Sequence, residues 1–195
     1  MKYPVVEVFT SVQGEGLYTG TPANFIRLAG CNLSCPFCDT YKEAREELTP
    51  KEIIDDFNSR IRTVVLTGGE PCIHDLAELV KELGKQGYII HMETNGTITI
   101  PSGIDYVSVS PKKAADGKYC QLKAYPYDEA KWLVPLWSAE EIMWNIAGLH
   151  FLQPVNDQMT LNLGNLRRCL WLLENADAPR ALRLSVQLHK LIGVK

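Results

Sequence analysis

Three cysteines lie within eight residues, in the segment Gly30-Cys31-Asn32-Leu33-Ser34-Cys35-Pro36-Phe37-Cys38-Asp39-Thr40, at the spacing C-x3-C-x2-C. Buried free thiols behave as small hydrophobes, but Asn, Ser, Pro and Asp between them suit a loop and not a core face. A structural zinc site takes four ligands; no second Cys or His pair sits at zinc spacing, although Cys72 and His74 could in principle supply a fourth. Three thiolates in one loop suit a 4Fe–4S cluster that leaves one iron open. An open iron takes a ligand from outside the protein, which makes such a cluster a place for chemistry. The spacing favours the cluster and leaves zinc as the alternative.

Other polar groups follow apolar runs. Thr67-Gly68-Gly69-Glu70-Pro71 follows Thr63–Thr67, and a glycine pair there lets backbone approach a ligand closely. Taken alone it is also a tight strand-to-helix turn. Glu93-Thr94-Asn95-Gly96-Thr97, Ser108-Val109-Ser110-Pro111-Lys112 and Gln153-Pro154-Val155-Asn156 each put polar side chains just past an apolar strand. Each is weak alone, because loops are polar anyway. A common rim gives them weight. Cys72 and His74 read as helix-start residues.

The elements that must carry these groups alternate. Short apolar strands are expected at Ala23–Leu28, Thr63–Thr67, Tyr88–Glu93, Tyr106–Ser110, Leu149–Gln153 and Leu182–Leu188. Thr49-Pro50-Lys51-Glu52 is a capping box opening a helix to about Arg60, and Ser138-Ala139-Glu140-Glu141 is a second. Leu76, Leu79, Val80 and Leu83 share one helical face that Gly87 can end, and Leu166, Cys169, Leu170 and Leu173 repeat that spacing. The segment from Lys112 to Trp137 has no clear period and reads as a cover or an edge. Strand–helix alternation predicts a mainly parallel sheet, and six strands predict an open or partial barrel with its site at the carboxyl ends of the strands.

Composition narrows the function. The 195 residues are 46% hydrophobic and 22% charged, with 20 Lys+Arg against 23 Asp+Glu. One domain, 1–195, is expected, with a core that needs no disulfides. The net charge of −3 argues against nucleic acid and against a polybasic membrane patch. No apolar run approaches the ~20 residues of a transmembrane helix, and no signal-peptide core is visible at the start. A cytoplasmic protein with reduced cysteines is expected.

The amino-terminal segment Glu7-Val8-Phe9-Thr10-Ser11-Val12-Gln13-Gly14-Glu15-Gly16 precedes Phe25-Ile26-Arg27. By itself it reads as a β-hairpin with a glycine turn. Arg27 lies on a strand, where an unpaired buried charge is costly, and its guanidinium can fork onto a ligand carboxylate. C-x3-C-x2-C with Phe37 before the third cysteine, followed by TGGEP, resembles the radical S-adenosylmethionine (SAM) superfamily. FTSVQGEG, FIRLAGC, CDT, TGGEPCIHD, ETNGT, VSPK, LQP and QLHK together resemble the 7-carboxy-7-deazaguanine synthase family of the queuosine pathway, from Tyr3 to about Lys190.

The resemblance implies an α/β fold, a partial (βα)6 TIM-like barrel of the radical SAM type with trimmed helices. It implies a Mg2+-dependent ring contraction of 6-carboxy-5,6,7,8-tetrahydropterin to 7-carboxy-7-deazaguanine with loss of ammonia. SAM is regenerated each turnover, a donor such as flavodoxin or ferredoxin supplies one electron, and the protein is a homodimer. By the same resemblance Cys31, Cys35 and Cys38 bind the cluster and Thr40 binds Mg2+. Phe37, Gly69, Glu93, Ser110, Pro111, Lys112 and Gln153 contact SAM. Val12, Gln13, Gly14, Glu15, Arg27, Thr67, His189 and Lys195 contact the substrate. Gln187 and Lys190 complete the carboxy-terminal pattern, where His189 reads equally as a satisfied histidine at a strand end. The chain departs from the pattern in a short stretch between Thr40 and Thr63, in Tyr41 where a Trp is frequent nearby, and in 113–137. A glycyl-radical-activating enzyme shares the cysteine loop and GGEP but needs neither QGEG nor Arg27. A non-catalytic metal-binding module is the third reading.

Overall fold

The computed structural model describes all residues except 39, 114–119, 125, 139–140, 143–147, 157–159 and 176–181. Its frame is a nine-stranded sheet of order β3-β1-β2-β4-β5-β6-β7-β8-β9. The strands are β1 (Tyr3–Val12), β2 (Pro22–Leu28), β3 (Glu46–Leu48), β4 (Thr63–Gly68), β5 (Ile89–Thr94), β6 (Tyr106–Val109), β7 (Glu129–Val134), β8 (Leu149–Pro154) and β9 (Leu182–Leu184). From β2 through β9 every neighbouring pair is parallel, and β1 runs antiparallel to both β2 and β3. The carboxyl ends of the parallel strands therefore share one rim. The helices are α1 (Pro50–Asp55), α2 (Ala77–Lys85), α3 (Leu163–Asn175) and α4 (Leu188–Ile192).

The partial barrel stands, with seven parallel strands where the sequence suggests six. The seventh, β7, lies in the stretch read as a cover or an edge. Its residues alternate: Ala130, Trp132 and Val134 join the core, while Lys131 and half-buried Leu133 face the cavity described below. Buried Glu129 and Lys131 break the apolar run that marks a parallel strand, so the pattern looks like a loop.

Local chemistry explains the other boundaries. The Thr49 capping box is formed, with the Glu52 N–H donating to Thr49 Oγ1 at 3.3 Å and Glu52 Oε2 accepting from the Thr49 N–H at 2.7 Å. The helix stops short of Arg60 because fully buried Asn24 captures the Asn58 backbone, accepting from its N–H at 3.0 Å and donating to its carbonyl at 3.2 Å. The expected strand Leu182–Leu188 ends at Leu184. Beyond it the Leu188 N–H donates to the Gly14 carbonyl at 2.9 Å, turning the chain into α4. On α3 the buried residues are Cys169 and Leu172, and Leu170 is 42% exposed, so the helix is rotated from its expected face. Ala139 and Glu140 of the second expected capping box lie outside the described residues.

Two apolar clusters flank the sheet's middle strands. One joins β1, β2, β4 and β5 to α1 and α2, with Leu79, Val80 and Leu83 buried as their spacing predicts. The other gathers β6, β7, β8 and α3 around Trp132, which meets Trp137 edge-on with ring centroids 5.1 Å apart. Among the described residues no helix is long and apolar enough to cross a membrane.

Candidate active site

Loops at the carboxyl ends of the parallel strands, together with the β1–β2 hairpin, surround a cavity of about 530 Å³, within the range of small-molecule sites. The cysteine loop follows β2, and Cys31, Cys35 and Cys38 all line the cavity, with Phe37 and Thr40 beside them. Burial pushes the Cys35 thiol up, with repulsion from Cys38 and Cys31 added, while Lys112 pulls it down. Three cysteines of one loop open to one cavity, with Cys35 close enough to feel the other two, are the donor set a cluster needs, so these residues fit the group. Zinc would need a fourth donor. Cys72 Sγ instead lies 3.4 Å from Met92 Sδ, and burial pushes its pKa up to about 12. His74 Nε2 sits 2.8 Å from the Ala29 carbonyl. Both belong to the turn before α2, as the helix-start reading expects.

The glycine pair after β4 is packed against the cysteine loop. A Cβ on Gly69 would sit 1.9 Å from the Gly30 carbonyl oxygen and 3.0 Å from Cys31 Cβ. Only a residue without a side chain lets these two backbones meet. Glu70 fastens the turn from below: it is 1% exposed and accepts from Thr94 Oγ1 at 2.7 Å, the Asn95 N–H at 2.6 Å and the Cys72 N–H at 3.1 Å. Asn95 Nδ2 in turn donates to Asn32 Oδ1 at 3.0 Å. The ETNGT segment therefore carries one cavity-facing carboxylate, Glu93, and two residues that brace the cysteine and glycine loops.

The hairpin loop brings Val12, Gln13, Gly14 and Glu15 to the opposite wall. Gln13 Nε2 donates to Glu93 Oε1 at 3.1 Å, and Thr67 Oγ1 donates to Glu93 Oε2 at 3.2 Å. Gln187 Nε2 donates to Glu15 Oε1 at 2.7 Å. A Cβ on Gly14 would lie 1.8 Å from His189 Nδ1, so α4 closes directly onto this loop. Arg27 also lines the cavity, its Nε donating to Glu7 Oε1 at 2.9 Å. Lys195 joins the same carboxylate from the chain end, Nζ to Glu7 Oε2 at 2.6 Å.

On the SAM-expected side, Ser110, Lys112 and Gln153 line the cavity. Lys112 Nζ donates to the Ser110 carbonyl at 2.9 Å. Burial lowers its ammonium to about 8, against the pull of Cys35 and Glu15. Gln153 Oε1 accepts from Ser185 Oγ at 3.3 Å. Of the residues that the resemblance assigns to the cluster, Mg2+, SAM or the substrate, Pro111 alone is not on the cavity wall.

Two residues of β7 were missed from sequence. Buried Lys131 donates to Glu15 Oε2 at 2.6 Å and to Glu93 Oε1 at 3.1 Å. Buried Glu129 accepts from Ser108 Oγ at 2.7 Å, Tyr106 Oη at 2.9 Å and the Leu17 N–H at 2.9 Å, anchoring the hairpin loop to the sheet. The available signal was two charges at i, i+2 in an otherwise apolar run.

Comparison with known proteins came to the same place. The radical SAM superfamily model matches residues 25–149. A 7-carboxy-7-deazaguanine synthase of Bacteroides thetaiotaomicron is 38% identical over the whole of both chains. That of Haemophilus influenzae is 34% identical over 99% of this chain and 94% of its own. The crystal structure of QueE from Escherichia coli superposes with a TM-score of 0.76 at 30% identity, covering 97% of this chain and 95% of that one.

Proposed function

Since the chain belongs to the 7-carboxy-7-deazaguanine synthases, a family of radical SAM enzymes, we propose that the cavity at the carboxyl ends of the strands takes 6-carboxy-5,6,7,8-tetrahydropterin, SAM and Mg2+ together. The enzyme is a radical SAM 7-carboxy-7-deazaguanine synthase of queuosine biosynthesis. The observation that carries the finer reading is one cavity shared by the three-cysteine loop, the GGE turn and the QGEG loop. The glycyl-radical-activating and non-catalytic readings give way to full-length likeness to synthases.

Cys31, Cys35 and Cys38 hold the 4Fe–4S cluster. Bound there, the cluster and SAM would supply the radical chemistry of the reaction. The protein's own residues bind, orient and exclude water. Gly69 offers its backbone to SAM, and its lack of a side chain lets this turn pack against the cysteine loop. Glu93 accepts from donors of SAM, with Phe37, Ser110, Lys112 and Gln153 completing that half of the wall and Pro111 linking two of them in sequence. Glu15, with Gln13 beside it, accepts from the N–H groups of the pterin ring. Val12, Gly14 and Thr67 shape its edge, and His189 and Lys195 close it from the carboxy-terminal side. Arg27, braced by Glu7, presents its guanidinium to a carboxylate. Reactants held in register in this way need little reorganisation.

Thr40 lines the cavity next to Cys38 and offers a hard oxygen of the kind Mg2+ prefers. Thr40→Val keeps the shape and removes that oxygen. Its expected result is a Mg2+ titration of turnover displaced to about tenfold higher concentration, with the cluster spectrum unchanged. A wild-type Mg2+ response would contradict the role. The same reading includes a flavodoxin- or ferredoxin-type electron donor, a single domain over 1–195, a homodimer and a cytoplasmic location.

The reading is tested by anaerobic incubation of reconstituted protein with the pterin, SAM, a reductant and Mg2+. 7-Carboxy-7-deazaguanine and ammonia are expected. Their absence from protein that carries the cluster would overturn the substrate assignment.

A further inference from the structure

Lys131 sits mid-strand in β7 and is 3% exposed. A buried ammonium is costly unless it is paired and hydrogen-bonded. Its partners are two carboxylates from different elements: Glu15 Oε2 at 2.6 Å, from the loop after β1, and Glu93 Oε1 at 3.1 Å, from β5. Each carboxylate is also held at its other oxygen, Glu15 Oε1 by Gln187 Nε2 at 2.7 Å and Glu93 Oε2 by Thr67 Oγ1 at 3.2 Å. The carboxylates cannot turn independently while the ammonium bridges them.

We propose that Lys131 is a positioning residue, whose ammonium spaces and orients the carboxylates of Glu15 and Glu93 so that one meets the pterin and the other meets SAM. The inference rests on the reading of Glu15 and Glu93 given above. Lys131 itself touches neither ligand in this account and acts through its two partners.

The electrostatics agree with the geometry. Burial pushes the Glu15 carboxyl up, but Lys131, Gln187 and His189 together bring it down to about 2. The charged groups facing Lys131 are Glu15, Glu93 from β5 and Glu129 from its own strand, with Lys112 after β6 opposing them. Those facing Glu15 are Lys131, His189 from α4 and Lys112 after β6. Without the ammonium, burial dominates and Glu15 takes a proton at a higher pH. Pterin binding that needs ionised Glu15 then fails at a higher pH than in the wild type.

The experiment is equilibrium titration of anaerobically reconstituted protein with SAM alone and with 6-carboxytetrahydropterin in the presence of SAM, repeated through the acidic range. Wild type is compared with Lys131→Met and with Lys131→Met/Glu93→Gln, which removes one of the stranded charges in case the single variant does not fold. The cluster's visible absorption checks that the cysteine loop is intact. Lys131→Met is expected to weaken pterin binding by about tenfold or more and to move its acid limb upward. The double variant is expected to keep both changes. Wild-type pterin affinity with an unmoved acid limb in either folded variant would overturn the proposal. If the wild type binds no pterin, the substrate reading has failed instead, and the SAM titration decides: weaker SAM binding in Lys131→Met supports the positioning role, and unchanged binding overturns it.

Discussion

Cys35→Ala reduces turnover to background and removes the visible absorption of the cluster. The loop has three thiols for the cluster, and Cys35 lies between the other two in sequence. Among the described residues of the cavity wall no further cysteine stands in for it. The Cys72 thiol is buried against Met92, with its pKa pushed up to about 12, and thiols ligate iron as thiolates. His74 is engaged with the Ala29 carbonyl. Cys169 is fully buried on α3, with its pKa raised to about 12. Iron and sulfide analysis of anaerobically purified variant protein checks the first half, and turnover of the pterin checks the second. A variant that retained a full complement of iron, or wild-type turnover, would remove Cys35 from the site.

Gly69→Ala is expected to have the second largest effect. Its new methyl would lie 1.9 Å from the Gly30 carbonyl oxygen and 2.7 Å from the Gly30 carbonyl carbon. Both are backbone atoms, so no side-chain rotation relieves the clash. The loop carrying Cys31 must move away from the glycine turn. Overpacking of this kind costs about 1–3 kcal/mol, and the displaced wall is the one assigned to SAM. Thermal unfolding should show a lower midpoint, and SAM affinity should fall by about tenfold or more, since displacements near 1 Å cost large factors in positioned sites. Gly84→Ala is the matched control. It lies within α2 with nothing within 4 Å of its new Cβ, and Ala is favoured over Gly in a helix interior by roughly 0.5–1 kcal/mol. Equal SAM binding in Gly69→Ala and wild type would contradict the close approach.

Much of this site is legible in the sequence because its chemistry is concentrated in short loops. The cysteine spacing, the glycine pair and the polar groups past each strand need only local order to be recognised. Strands such as β4 and β5 carry them, and each has a short apolar stretch, Val64-Val65-Leu66 in β4 and Ile89, Ile90 and Met92 in β5. The expected strands fail where the site itself intrudes. Glu129 and Lys131 interrupt β7 because Lys131 faces the cavity and Glu129 anchors the hairpin loop, and neither serves the apolar core. Leu182–Leu188 reads as one apolar strand, yet Ser185 leaves it to accept the Gly16 N–H at 3.0 Å. The chain then turns to set His189 beneath Gly14. These contacts join residues about 170 positions apart, and no local pattern encodes them. Asn24 is a similar case: a polar residue inside an apolar strand, buried because it ends α1 and not because it meets a ligand.

Glu93 shows how a correct expectation is sharpened. Its position at a strand end marks it as cavity-facing. The structure adds that Gln13, Thr67 and Lys131 all bind its carboxylate, so it joins the hairpin loop, the GGE strand and β7 in one network. Substitution there would disturb both halves of the wall.

The central claim is that this cavity contracts a pterin ring with SAM acting as a cofactor regenerated each turnover. The most direct measurement is anaerobic turnover of 6-carboxy-5,6,7,8-tetrahydropterin with reductant, Mg2+ and SAM limiting relative to the pterin, following 7-carboxy-7-deazaguanine and remaining SAM by mass spectrometry. The account predicts product exceeding the SAM supplied, with SAM largely intact. Cluster-loaded protein that consumes SAM and forms no 7-carboxy-7-deazaguanine would contradict it.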